Sequence, residues 1–75
     1  MLYIAALYHF TRIDDVEKLR VRLLEIIQRN DIRGTLILAS EGINGTVCGT
    51  ESALDELIDA CAQIGCPPPR RDRVI

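Results

Sequence analysis

The sequence has few aromatic residues, little net charge and no long apolar run. Its aromatic residues are Tyr3, Tyr8 and Phe10, yet 48% of the 75 residues are hydrophobic, which excludes intrinsic disorder. A net charge of −2 lacks the strongly basic footprint of an autonomous nucleic-acid-binding domain. The apolar runs are far shorter than the roughly 20 residues of a membrane span, and no basic segment precedes the first one. These features predict a cytoplasmic protein with no signal peptide and no membrane partner.

Metal-ligating and nucleophilic side chains are also scarce. The three cysteines have no CxxC spacing and the chain has one histidine, His9, so the pattern of a zinc site is missing. We expect Cys48 and Cys61 to be small core residues, which leaves Cys66 as the only candidate for an exposed thiol. Cys66 follows the C-terminus of a predicted helix, where the helix dipole disfavours a thiolate. The sequence therefore predicts no catalytic residue, no metal and no cofactor.

Hydrophobic periodicity and turn residues predict three strands and two helices. Asp14 and Glu17 resemble a capping box at the start of the first helix, and Asn44-Gly45 is a strong signal for a two-residue hairpin turn. The predicted elements, in chain order, are strand Leu2–Phe10, helix Asp14–Asn30, strands Arg33–Ser40 and Gly45–Gly49, and helix Thr50–Ile64.

The order β-α-β-β-α is that of an α+β ferredoxin-like, or acylphosphatase-like, two-layer sandwich. Its antiparallel sheet carries both helices on one face, and the first strand is central. We expect this domain to cover residues 1–66. Residues 67–75 are predicted to be a Pro/Arg-rich linker or a truncated last strand.

The first predicted strand is apolar on both of its sides. A two-layer sandwich covers only one face of its sheet, so an apolar second face predicts a partner. If the even-numbered residues face the core, then Tyr3, Ala5 and Leu7 form the partner-facing surface. The predicted partner is another domain or a second copy of this chain, which would form a homodimer.

The most distinctive segment is Gly34–Val47, in which a strand, a loop with two glycines and another strand follow one another. One interpretation is a hairpin whose glycines serve the backbone alone. The other is that Glu41 and Asn44 contact a partner domain or a polar ligand. Glu41 has no second carboxylate or histidine near it in sequence, and the loop lacks the spacing of a phosphate-binding motif.

This segment resembles the N-terminal region of the rhodanese-domain tRNA uridine hydroxylases, a bacterial family. The resemblance covers about residues 1–64, including Tyr8-His9-Phe10 and the two helices. Its specific part is the hexapeptide of Glu41, Gly42, Ile43, Asn44, Gly45 and Thr46, which we call the signature hexapeptide.

The resemblance implies a non-catalytic N-terminal domain. The family hydroxylates carbon 5 of the wobble uridine of tRNA with molecular oxygen, and its essential cysteine lies in the rhodanese domain. The implied partners are that rhodanese domain and, through the full-length protein, tRNA. The signature hexapeptide would lie at the domain junction or on the tRNA side.

Two other functions fit the same fold class. A true acylphosphatase would use Arg12 and Asn44, but the connection after the first strand has no glycine to bring backbone amides together on an anion. A regulatory or oligomerising ferredoxin-like module would use the apolar sheet face, and such a module forms dimers in isolation.

Overall fold

The computed structural model describes residues 2–66, 69 and 71–73. Its elements are β1 (Tyr3–Phe10), α1 (Val16–Arg29), β2 (Arg33–Ala39), β3 (Gly42–Gly49), α2 (Glu51–Ala62) and β4 (Arg71–Arg73). The strands form one antiparallel sheet in the order β2-β3-β1-β4. This confirms the predicted α+β ferredoxin-like fold with β1 inside the sheet. The short β4 lies in the segment predicted as a linker or truncated strand, and the predicted boundary at residue 66 stays a prediction.

Both helices begin at side-chain caps. Asp15, rather than the predicted Asp14, caps α1 by accepting a hydrogen bond from the Lys18 amide at 3.0 Å. Thr50 caps α2 by accepting from the Ala53 amide at 3.3 Å. Such caps satisfy amides at the first turn that have no partner within the helix.

The end of α1 is joined to α2 by polar contacts. The Asn30 side-chain amide donates to the Ile26 carbonyl at 2.9 Å and to Glu56 Oε1 at 3.0 Å. Arg29 forms an ion pair with the same Glu56. Together with the packing of their apolar stripes, these contacts hold the helices side by side.

The core lies between the helix layer and one face of the sheet. From β1 and β3 it takes Ala5, Leu7, Ile43 and Val47, all buried. The helices contribute the buried residues Leu19, Leu23, Ile26, Ala53, Leu54, Leu57, Ala60 and Cys61. Six of these residues recur at steps of three and four along their helices, which is the periodicity that predicted the helices: Leu19, Leu23, Ile26, Leu54, Leu57 and Cys61. Ala53 and Ala60 complete this half of the core and were not predicted.

The prediction for the sides of β1 was wrong. Ala5 and Leu7 are 1% and 4% exposed and belong to the core, and the half-buried Tyr3 packs against it. The even-numbered residues of β1 therefore point away from the helices. The register explains this: Tyr8 lies opposite Asn44 and Ala6 opposite Thr46, whereas Ala5 lies opposite Val47. Polar residues of β3 and the even-numbered residues of β1 thus share the uncovered face.

The predicted Asn44-Gly45 turn was also wrong. Ala39 pairs with Gly42, so Ser40 and Glu41 connect β2 to β3, and Asn44 and Gly45 lie within β3. Gly45 has φ 155°, and a Cβ there would collide with the Thr35 carbonyl oxygen and lie 2.8 Å from the Leu36 Cα atom. Gly45 is therefore required by a close approach of two strands rather than by a turn.

We expect Gly45→Ala to lower the free energy of unfolding by about 2–4 kcal/mol, because it adds backbone strain and a collision with β2. Gly49→Ala is the matched control in the same strand, since its Cβ would meet nothing closer than Ile32 Cγ1 at 3.3 Å. Urea unfolding of both variants measures the difference. Equal losses of unfolding free energy in Gly45→Ala and Gly49→Ala would contradict the observed register. So would a Gly45→Asn variant of unchanged stability, because asparagine is tolerated at that position of a type I′ turn.

Candidate functional site: the uncovered face of the sheet

The uncovered side of the sheet carries a group of exposed apolar side chains. Tyr8 and Phe10 are each 70% exposed and Ile37 is 61% exposed. The pairing of the strands places Ile37, Asn44 and Tyr8 in one row across β2, β3 and β1. In the next row, Phe10 lies beside Gly42. We call the surface formed by Tyr8, Phe10, Ile37 and Asn44 the aromatic face.

The two rings of the aromatic face contact each other. The ring centroids of Tyr8 and Phe10 are 5.3 Å apart, and the ring planes meet at 81° in an edge-to-face arrangement. This geometry places the positive ring edge of one against the negative face of the other. The pair therefore keeps a defined shape while most of its surface stays open to solvent.

A glycine brings β3 and β1 together beside this pair. Gly42 has φ 154°, and a Cβ there would collide with the His9 carbonyl oxygen and lie 3.1 Å from the Phe10 Cα atom. Gly42 has no side chain, and it lines a depression together with Phe10 and Glu41. The glycine thus allows the strands to approach and leaves a depression beside the ring.

The connection after β1 fixes the position of the turn. The Thr11 amide donates to the Glu41 carbonyl at 3.0 Å, and the Ile13 amide donates to the Ser40 carbonyl at 2.9 Å. The Thr11 hydroxyl donates to the Ile64 carbonyl at 3.4 Å, which joins the same connection to the end of α2. The turn that bears Glu41 is therefore supported by backbone contacts rather than free to move independently.

The signature hexapeptide divides between the core and the surface. Ile43 is buried in the core, and Gly42 and Gly45 permit the close approach of neighbouring strands. Glu41, Asn44 and Thr46 are exposed, with Asn44 and Thr46 on the uncovered face. Half of the hexapeptide thus serves the fold of this domain, and the other half is available to a partner.

The geometry does not support an acylphosphatase site. The amides of Thr11 and Ile13, which a phosphate cradle after β1 would need, already donate to the Ser40-Glu41 turn. Arg12 pairs with Asp14 at 3.2 Å and lines a hollow beside α1, whereas Asn44 lies in β3 and lines the aromatic face. Asn44 is therefore not at a hairpin tip as predicted, and it does not share a pocket with Arg12.

The thiols are poorly suited to nucleophilic chemistry. Cys61 is buried in the core as predicted, whereas Cys48 is only half-buried and is not part of the core. Cys66, the candidate for an exposed thiol, is only 6% exposed. Cys66 is buried where the chain turns back at the end of α2, with its amide donating to the Cys61 carbonyl at 3.3 Å. Burial and the neighbouring Cys66 raise the pKa of Cys61 to about 11, and burial also raises the pKa of Cys66.

The residues that the structure describes contain no group of three or more histidine, cysteine or acidic side chains that could hold a metal ion. Within the same part of the chain, neither helix has the length and apolar character needed to cross a membrane.

Sequence reasoning identified Asn44 and Glu41 but missed Tyr8, Phe10 and Ile37. The signal that could have found them is the alternation in β3, where Ile43 and Val47 are apolar and Asn44 and Thr46 are polar. This alternation identifies the outward side of β3, but transferring it to β1 requires the register.

Comparison with known proteins agrees with the fold. Residues 2–67 match the UPF0176 acylphosphatase-like domain. A protein named tRNA uridine(34) hydroxylase from Agrobacterium fabrum (strain C58 / ATCC 33970) is 47% identical over 55 residues. That alignment covers 73% of this chain and 18% of the relative, so the matched part spans less than a fifth of that relative's length.

The raised pKa of Cys61 predicts a loss of stability in alkali. Its thiol has an ordinary pKa of 9.0 in the unfolded chain and about 11 in the folded chain, so below pH 9 it is protonated in both states and contributes no pH dependence. Above that, the unfolded state loses its proton first, and the free energy of unfolding should fall by about 2–3 kcal/mol by about pH 11.

Urea unfolding across this pH range measures the effect. In Cys61→Ala the alkaline slope should be reduced, whereas Cys48→Ala, at the half-buried thiol, should retain it. An unchanged slope in Cys61→Ala would show that other groups cause the alkaline loss.

Proposed function

Because the chain belongs to the UPF0176 family, whose acylphosphatase-like domain it matches over residues 2–67, we propose that it is the non-catalytic N-terminal domain of a tRNA uridine hydroxylase. In this proposal the complete enzyme hydroxylates carbon 5 of the wobble uridine in tRNA with molecular oxygen. The reaction takes place in a rhodanese catalytic domain, and tRNA is bound by the full-length protein in the cytoplasm.

The position of the thiols is the observation that carries the non-catalytic role. A cysteine nucleophile needs an accessible thiol with a lowered pKa. Cys61 and Cys66 are buried with raised pKa values, and Cys48 is a half-buried residue of β3. The proposal therefore assigns the chemistry of the family to other parts of a longer protein, and the 18% of the relative that is matched supports this assignment.

We propose that this domain contributes by positioning the catalytic domain. Its helix layer and core make a compact unit, and its aromatic face and signature hexapeptide offer a surface on which a catalytic domain can be positioned. Positioning of this kind increases reaction rates because productive geometry is lost with displacements of about 1 Å.

The uncovered apolar face also favours a second candidate function, that of a regulatory or oligomerising module. Such a module would form a homodimer through the aromatic face. Sedimentation equilibrium separates the two candidates, since the module should dimerise as the isolated chain and a docking domain should associate with the rest of its enzyme.

We expect the isolated chain to be inert in three assays: hydroxylation of tRNA uridine, sulfur transfer from thiosulfate and hydrolysis of an acyl phosphate. The full-length hydroxylase should be active in the first assay and lose that activity when this domain is deleted.

Arg12→Ala and Asn44→Ala serve as controls for the third assay. Turnover of acyl phosphate by the isolated chain that disappears in both variants would instead establish an acylphosphatase. Full tRNA hydroxylation by the enzyme without this domain would contradict the supporting role.

A further inference from the structure

The aromatic face is a patch of three exposed apolar side chains around the polar Asn44. Tyr8, Phe10 and Ile37 are the most exposed large apolar side chains among the described residues. They lie on β1 and β2, with β3 between them, and occupy successive rows of the sheet. Single exposed apolar residues are common on protein surfaces, but three of them close together on an uncovered sheet face are typical of an interaction site.

The depression within this patch has the size of a protein side chain. It encloses about 240 Å³ between Tyr8, Phe10, Ile37 and Asn44, beside the Glu41 turn. Pockets for small molecules and cofactors usually enclose about 300–1,000 Å³. A shallow hollow of this size suits one large apolar side chain, the kind of anchor that dominates binding at protein interfaces.

The charges on this side of the sheet favour a protein over RNA. Of the described side chains there, Arg33 is the cation, and it pairs with Asp31 at 3.2 Å. Glu41 and Asp72 are anions, Asp72 being in register with Ile4. RNA binding depends on cations that neutralise phosphates. The core of a protein–protein interface is apolar and contains few charged residues, and the aromatic face has the same composition.

We propose that the aromatic face seats the catalytic part of the hydroxylase, which inserts an apolar side chain between Tyr8, Phe10 and Ile37 and hydrogen-bonds to Asn44. This inference rests on the proposed function and names the partner of the same site. In the relative, the matched stretch is 18% of the length, and the rest of that protein is part of the same polypeptide, so the proposed partner would be tethered to this domain. Tethering raises the effective concentration of a second domain to the millimolar range, so even a small interface is occupied.

Hydroxyl-radical footprinting of the aromatic rings tests this seat without any substitution. The isolated chain and the full-length hydroxylase that carries it are oxidised side by side, in the absence of tRNA, and modification is mapped at Tyr8 and Phe10. We expect both rings to react readily in the isolated chain and at least tenfold more slowly in the full-length enzyme.

Two outcomes would overturn the proposal. Rings that stay reactive in the full-length enzyme and become protected only when tRNA is added would make this an RNA surface. If the rings of the isolated chain become protected from oxidation as the protein concentration rises, and reach the protection found in the full-length enzyme, the aromatic face would be a contact between two copies of this chain.

A binding measurement with matched variants provides the second test. The isolated chain is titrated into the enzyme that lacks this domain. Tyr8→Ser and Phe10→Ser should each weaken binding at least tenfold, whereas Val21→Ser, an exposed apolar residue on α1, should change it less than twofold. Equal effects of all three variants would overturn the assignment of this face.

The hydroxylation assay keeps this inference separate from the proposed function. A full-length protein that protects both rings but does not hydroxylate tRNA refutes the proposed function and leaves the domain seat intact. An active enzyme whose rings remain reactive refutes the seat alone.

Discussion

At Gly42 and Gly45 the backbone of β3 lies so close to its neighbours that no side chain fits. A Cβ at the first position would collide with the His9 carbonyl oxygen of β1, and one at the second with the Thr35 carbonyl oxygen of β2. Glycine at both positions is therefore needed for the observed pairing of β3 with its two neighbours. That pairing places Asn44 beside Tyr8 and Ile37. The sides of β1, the position of the turn and the composition of the aromatic face all depend on this register.

Features of the fold that depend on residues close together in sequence could be predicted, whereas features that depend on contacts between strands could not. Helix α1 was predicted from Leu19, Leu23 and Ile26, because a helical stripe needs only neighbouring residues. The order of elements then led to the fold class. The turn was mispredicted because Asn44-Gly45 has the local chemistry of a turn, while the need for glycine at residue 45 comes from Thr35 in another strand.

The error at β1 has the same origin. Ala5 and Leu7 on one side and Tyr8 and Phe10 on the other are all apolar, so the alternation of the strand cannot say which side is inside. The buried side is evident in β3, where Ile43 is buried and Asn44 is exposed. The corresponding side of β1 can be assigned only when the pairing register of β1 with β3 is known. With the turn misplaced, that register was not accessible, and the partner-facing surface was assigned to the buried side.

The uncovered face has an energetic consequence for the domain. A chain of this size buries only about 60% of the surface that it exposes when unfolded, so its stability is marginal. It nevertheless leaves Tyr8, Phe10 and Ile37 in water, although burying each such side chain stabilises by about 1.5–3 kcal/mol. Leaving these side chains exposed forgoes that stabilisation in the isolated domain. The proposed contact with the catalytic part of the enzyme would recover it by covering them.

The residues of the signature hexapeptide divide into those that the fold requires and those that it does not. Gly42, Ile43 and Gly45 are accounted for by close strand approach and by the core, and they would be needed in this fold whatever its function. Asn44 has no such role: its backbone is in β3, but its side chain lies among apolar residues on the open face. A polar group in that position is neutral for the isolated domain, because water satisfies it. Under a covering partner it must be hydrogen-bonded, since a buried amide without a partner costs about 1–3 kcal/mol. In the proposed seat, Asn44 would therefore favour a partner that presents a matching polar group, which would make the seat selective.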